Sequence, residues 1–271
     1  MGSLSDYAEN ELLDHVFNAA YSPVATIYLG LATADPTDAG TGASFSECAN
    51  SGSYARTAIA FSAAASRKII QNGVVTFPEA TGSWGTVTHW AILDSDTHGA
   101  GNLLAHGAFT TGKAIVSGNT PSVADLETEV EFSAGEMSDV LAHKLLDLMF
   151  RNTAYAVPDT YLALIDATAA SSDTGSTISE PVGGSYARKQ VNVNGGASPT
   201  WDLAASGLVD NTHDIDFVEA SASWGTIVGV AICSAATLGD LLFFDNDMVD
   251  QAVTTGDTVR FAIGDLDITL T

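Results

Sequence analysis

The sequence predicts a mainly β protein built from two tandem β-sandwich or jelly-roll-like domains, each preceded by a short N-terminal α-helix. Three observations carry this reading. A set of short motifs occurs twice, in the same order along the chain. Short runs rich in β-branched and aromatic residues alternate with Gly, Asn, Asp and Pro turn clusters. Apolar residues make up 46% of the 271 positions and charged residues only 15%, which is enough to build a core without staples.

The repeat comes first because it fixes the organisation. Gly52-Ser53-Tyr54-Ala55-Arg56 recurs as Gly184-Ser185-Tyr186-Ala187-Arg188, and Ser83-Trp84-Gly85-Thr86 recurs as Ser223-Trp224-Gly225-Thr226. Tyr28-Leu29-Gly30-Leu31 matches Tyr161-Leu162-Ala163-Leu164, and Leu12-Leu13-Asp14 matches Leu145-Leu146-Asp147. Gly118 and Gly256 mark a shared turn near the end of each copy. The matches are collinear and their offsets drift by a few residues, as loop insertions in one copy would produce. The boundary is placed near Gly135, giving copies over 1–135 and 136–271, each the size of an ordinary small domain.

Within each copy the elements follow in order. Ser5 caps a first helix, with Asp6 and Glu9 in the turn where the helix dipole favours acids. Ala8, Leu12, Leu13, Val16 and Phe17 share one face of it. Strands are expected over 24–33, 54–62, 73–77, 86–94, 102–110 and 127–133. In the last of these Glu127, Glu129 and Glu131 alternate with Thr128, Val130 and Phe132, a half-buried pattern. Ser138 and Asp139 open the second helix, whose stripe is Val140, Leu141, Leu145, Leu148 and Met149. Strands follow over 160–166, 186–193, 206–210, 214–218, 226–234, 240–244, 257–263 and 266–270. Turn signals separate them, among them Asp35-Pro36, Gly99-Ala100-Gly101, Gly183-Gly184 and Asn194-Gly195-Gly196. Both helical stripes are expected to pack against the sheet of their own domain.

The charge is extreme: 33 Asp and Glu against 9 Lys and Arg, a formal −24. Such a surface repels phosphate backbones and anionic membranes, so neither nucleic acid nor membrane is an expected partner. The acids are spread along the chain, which points to a folded acidic surface rather than a disordered tail. In roughly molar salt the Debye length falls to about 3 Å and this self-repulsion is screened. With only Lys68, Lys113, Lys144 and Lys189 as lysines, the surface reads as that of a protein from a high-salt setting. An ordinary acidic extracellular protein is the alternative. Met1 to Asn18 lacks the apolar run of a secretory signal, and no segment is long enough to span a bilayer.

Candidate sites were weighed against structural roles. Tyr and Arg of the two Tyr-Ala-Arg motifs are common contact anchors, but their survival in both copies favours a corner motif with Arg pairing to an acid. Trp84 and Trp224 could stack on a sugar, yet repetition favours plugs at the end of each sandwich. Asp94-Ser95-Asp96-Thr97-His98-Gly99 resembles the start of a calcium loop, but the twelfth position is Ala105, so an acidic hairpin tip is the simpler reading. His89 and His106 are expected opposite each other across a hairpin closed by Ile92 and Leu103, where they could hold a metal or sense pH. Cys48 and Cys233 do not occupy matching places, so neither a structural disulfide nor a metal cluster is expected. Nucleophile-elbow, zinc-protease, phosphate-loop and dinucleotide signatures are missing from the sequence. No catalytic, cofactor-binding or metal residue is assigned, no cofactor is expected, and the protein is read as not an enzyme.

The run Leu12-Leu13-Asp14-His15-Val16-Phe17, the segment from Thr26 to Asp38, Gly52 to Arg56, Val75 to His89 and Gly101 to Gly107 together resemble small tail-fibre-like virion proteins of tailed viruses. The resemblance covers residues 4–133 closely and 138–270 more loosely. It implies a virion component without catalysis, located on the outer surface of head or tail. With the acidic surface, it points to a tailed virus of a halophilic archaeon. The family is mostly single-copy, so the duplication departs from it. Three functions follow: a capsid decoration, turret or short appendage that assembles as a symmetric oligomer; a tail-fibre or baseplate adhesin binding host surface glycan; and a carbohydrate-active enzyme of dispersed carboxylates. The absence of heptads and regular fibre repeats favours the first. The expected partners are further copies of the chain, as trimer or pentamer, and other virion proteins such as the major capsid protein or tail proteins.

Overall fold

A computed structural model describes residues 2–133, 135–192 and 201–270. The protein is mainly β with two helices. The first half runs β1 (Gly2–Leu4), α1 (Asp6–Phe17), β2 (Ile27–Ala32), β3 (Thr57–Ile59), β4 (Lys68–Ile70), β5 (Val75–Thr76), β6 (Gly85–Leu93), β7 (Leu103–Ile115), β8 (Ser122–Val123) and β9 (Glu129–Glu131). The second runs α2 (Asp139–Arg151), β10 (Thr160–Ile165), β11 (Lys189–Asn192), β12 (Leu208–Asp210), β13 (Ile215–Asp216), β14 (Gly225–Ile227), β15 (Gly229–Cys233), β16 (Leu241–Asp245), β17 (Gln251–Val253), β18 (Arg260–Phe261) and β19 (Asp267–Thr269). The turn expected at Asn194-Gly195-Gly196 lies outside the described residues.

In the first half seven strands form one curled sheet, in the order β3-β2-β6-β7-β1-β9-β4, with β5 and β8 as a separate ribbon. In the second half the same parts are divided. A four-stranded sheet has the order β11-β10-β15-β16, and β12–β19, β13–β18 and β14–β17 are ribbons. The expectation of a mainly β chain with a helix opening each half stands in this structure; the strands are grouped as these sheets and ribbons.

The registers show which parts correspond. Leu31 pairs with Trp90 in β2–β6, as Leu164 pairs with Val230 in β10–β15. Trp90 then pairs with Gly107, as Val230 pairs with Asp245. Leu4 pairs with Ala105 in the first half, and Met137 makes the matching bridge to Phe243 in the second.

Both helices start as their sequences direct. The Ser5 hydroxyl accepts from the Ala8 amide and donates to the Leu103 carbonyl, and Ser138 does the same with Leu141 and Leu241. Their packing departs from expectation. Each helix touches its own sheet, but each also lies on a strand pair of the other half. The Asp14 carboxylate in α1 accepts from the Ala204 amide at 2.8 Å, and Asp147 in α2 accepts from the Ala64 amide at 2.9 Å. Asn10 accepts from the Gly207 amide, and His143 from the Arg67 amide. Phe17 packs on Trp201 with ring centroids 4.6 Å apart, and Phe150 packs on Phe61 at 5.5 Å. The two halves thus exchange helices reciprocally. One buried cluster runs through both, from Leu12 and Phe17 through Phe61 and Phe150 to Phe217 and Leu242.

Candidate functional site

The Tyr-Ala-Arg motifs build the same anchor twice. Gly52 and Ser53 take left-handed φ values of 60° and 62°, turning the chain so that Tyr54 points inward. The Tyr54 hydroxyl accepts from the Leu31 amide and donates to Glu47 Oε1, each at 2.9 Å. Arg56 Nε and Nη2 donate to the two Glu47 oxygens at 2.7 and 2.8 Å. Arg56 Nη1 donates to the carbonyls of Ser95 and Ala100, and Nη2 also donates to that of Gly42. All five guanidinium N–H groups therefore have acceptors, and the pair is almost fully buried. Arg188 repeats the arrangement with Glu180 and the carbonyls of Gly175, Ala235 and Leu238, and Tyr186 bridges Glu180 and Leu164. Burial and the neighbouring carboxylate push both phenols up. These residues hold three loops together and have no donor left for a ligand.

Trp84 and Trp224 complete the anchors. Each indole N–H donates to the carbonyl of the turn glycine, Gly52 or Gly184, at 2.8 Å, and each ring meets its motif tyrosine edge-on. Both are buried, so neither offers a face to a sugar. Cys48 and Cys233 are buried thiols, each pushed up to about 12 by burial.

The calcium-loop reading loses its first ligand. Both Asp94 oxygens are occupied by Asn102, accepting from its amide at 2.6 Å and from its side chain at 2.8 Å. The histidine pairing is corrected as well. His89 lies opposite Ala108, and His106 opposite Ala91. β7 is displaced by two residues from the expected pairing: Leu103 pairs with Leu93 rather than Ile92, and a register shift between Ile92 and Leu93 adds the second residue. By register, Phe244 takes the place of His106 in the second half. His89 contacts the Thr88 hydroxyl.

His106 instead meets two acids that the sequence reading left unassigned. Its Nδ1 lies 3.2 Å from Asp35 and its Nε2 2.9 Å from Asp38. Ser3 sits 3.4 Å from the same Nε2, which gives the residue types of a nucleophilic triad. The chemistry does not follow. The Ser3 hydroxyl donates to Asp38 at 3.1 Å, and Asp38 also holds the nitrogen that would take the proton. Asp35 and Asp38 lie in an irregular loop, so no periodicity in the sequence ties them to His106.

A cleft of about 510 Å³ opens in the second half between residues 135–137 with β16 on one side and β19 on the other. Its origin is readable by comparison with the first half. There Gly2 and Gly107 lie directly on Trp90: a Cβ on either would fall within 2.5 Å of the indole. β1 thereby reaches β9, with Gly2 opposite Val130. In the second half Trp90 is replaced by Val230 and Gly107 by Asp245, and a Cβ on Gly135 would meet nothing within 4 Å. The smaller side chain withdraws the filling. Asp245, beside Glu136 and Asp247, adds like charges, and burial followed by these two neighbours raises the Glu136 carboxyl.

The two anchors are internally saturated fastenings of a mainly β scaffold. The family described as Podophage GP4 fiber I protein gp80 matches the chain twice, over residues 3–131 and 136–269. The chain belongs to that family: it is a phage fibre protein, a component of the virion tail. No curated protein matches it.

Proposed function

We propose that this chain is a non-catalytic fibre subunit that assembles as a symmetric homo-oligomer on the outside of the tail, in a virus of a high-salt setting with a halophilic archaeal host. The family match on both halves is the observation that carries it. We read 1–135 and 136–271 as two copies of one unit, and the β-sandwich expected of each as its sheet packed on its ribbons. A tail position replaces the capsid decoration or turret expected first, and tail proteins replace the capsid protein as neighbours. On a tail axis a trimer is the matching cyclic assembly.

Protein–protein contact is favoured over glycan stacking, because no Phe, Tyr or Trp side chain is exposed among the described residues. Native mass in high salt and antibody labelling of purified particles test the proposal. A trimer and label at the tail are expected. A monomer, or label confined to the head, overturns it. Saturable binding of host-surface glycan by the oligomer would show an adhesin that works through polar loops.

A further inference from the structure

The cleft of the second half is a sheet left open where the first half closes one. β19 pairs with β12 along one edge, with Val209 opposite Ile268, as β4 pairs with β9, with Ile69 opposite Val130. In the first half the other edge of β9 is taken by β1. In the second half the other edge of β19 has no backbone partner among the described residues. An open strand edge at the wall of a cavity is a template for one more strand.

The walls state what that strand must carry. Leu162, Val230, Ile232 and Phe243 line the cleft with apolar surface. Glu136 and Asp245 stand on one bank, Asp265 and Asp267 on the other. Asp267 also faces Asp210 across the ribbon, and this acidic neighbour pushes the Asp210 carboxyl up to about 6. Arg67 borders the cleft, but its Nη1 and Nη2 donate to Asp139 and the carbonyls of Ser133 and Met137, and its Nε is buried away from the acids' surface. The acids therefore lack a counterion from the chain itself. A second copy, at −24, is a poor source of one.

We propose that the cleft is a docking site for an extended, basic segment of a neighbouring virion protein, which completes the second sheet as β1 completes the first. Alternate side chains of the segment fill the apolar wall, and its intervening Lys or Arg side chains meet the acidic banks. The site deepens the reading that this protein works through protein contacts on the particle. Its test uses the free full-length chain, so it stands or falls apart from the oligomeric state and position on the tail.

The probe is a capped alternating Lys-Val pentapeptide, titrated by calorimetry at low and at about molar salt. The comparison peptides are its Glu-Val counterpart and a version N-methylated at alternate residues. Saturable binding of the Lys-Val peptide is expected, at least about tenfold tighter than either comparison. Hydrogen exchange should slow at the Asp267 and Thr269 amides, which face away from β12, while Ile268, paired with Val209, serves as the internal reference. Asp267→Lys and Asp245→Lys should each weaken binding about tenfold, with the unfolding midpoint checked to confirm folding. Absence of saturable binding, equal binding of the N-methylated peptide, protection elsewhere, or indifference to both charge reversals in folded protein overturns the proposal. Slow exchange of the Asp267 and Thr269 amides in the free chain does so too.

Discussion

Arg56 and Glu47 show how a motif that looks like a contact anchor becomes an internal fastening. The sequence made the repetition of Tyr-Ala-Arg plain, and repetition argued for a structural role. It did not show Glu47 as the partner, because the acid sits in an irregular loop with no period to place it. Removing one member of a buried, hydrogen-bonded pair leaves a desolvated charge behind. Arg56→Met is therefore expected to lower stability by about 3–5 kcal/mol, read from denaturant unfolding. Arg188→Met should cost less, since Glu180 retains more solvent contact than Glu47. Glu9 makes a second prediction. It is buried in the first turn of α1 against the Gly207 backbone, and burial, then Asp38 and Asp6, push its carboxyl up to about 7. An acid whose folded pKa is raised binds more protons folded than unfolded between its ordinary value and the raised one. Its contribution is thus greatest at low pH and declines as pH rises toward 7. Unfolding midpoints compared at pH 5 and pH 7.5 should show this decline in the native chain and a shallower one in Glu9→Gln. Equal slopes would remove Glu9 as a cause.

At the scale of elements, the helices were legible and their partners were not. Caps and apolar stripes identify helices at 6–17 and 139–151, but a stripe states only that a face is buried. The exchange depends on loop lengths and on three-residue strands such as β4 and β12, too short to show a period. The same shortness hid β1, β4, β8 and β17, whereas β12 lies within the strand expected over 206–210. The second part of β7 is mostly solvent-exposed between Ala108 and Ala114, so it lacked the buried run that marked its beginning. The hairpin register failed because a shift at its tip leaves no trace in hydropathy. The exchange itself can be measured. Asp147→Ala strips the Ala64 amide of its acceptor, and Asp14→Ala strips that of Ala204. Each should cost about 1–2 kcal/mol, and the double variant should lose close to the sum if the two contacts are independent. A loss near zero in both would show that the helices are held by their apolar faces alone.

For the whole molecule, two halves that share one buried cluster should behave as one cooperative unit, because α1 and α2 each also pack on the other half. That core sits beneath a surface carrying a formal −24. With 9 Lys and Arg against 33 acids, negative charge is in large excess, and pairs such as Glu129 with Lys68 and Asp240 with Lys144 are part-exposed ones of the kind worth little. Repulsion among the rest opposes compaction, since unfolding moves the charges apart. In dilute buffer that repulsion reaches across the domain; in about molar salt it is cut to about 3 Å, shorter than most charge separations on a surface. Excluded salts further favour burial of the apolar core. Thermal unfolding followed from dilute buffer into several molar KCl should therefore give a single transition whose midpoint rises with salt. Most of the rise should come below about 1 M, where screening changes fastest. Potassium chloride should also be compared with an uncharged osmolyte, which strengthens burial without screening. A midpoint that is flat or falls with KCl, or an equal rise with the osmolyte, would mean that charge repulsion does not limit this fold and would remove the case for a high-salt origin.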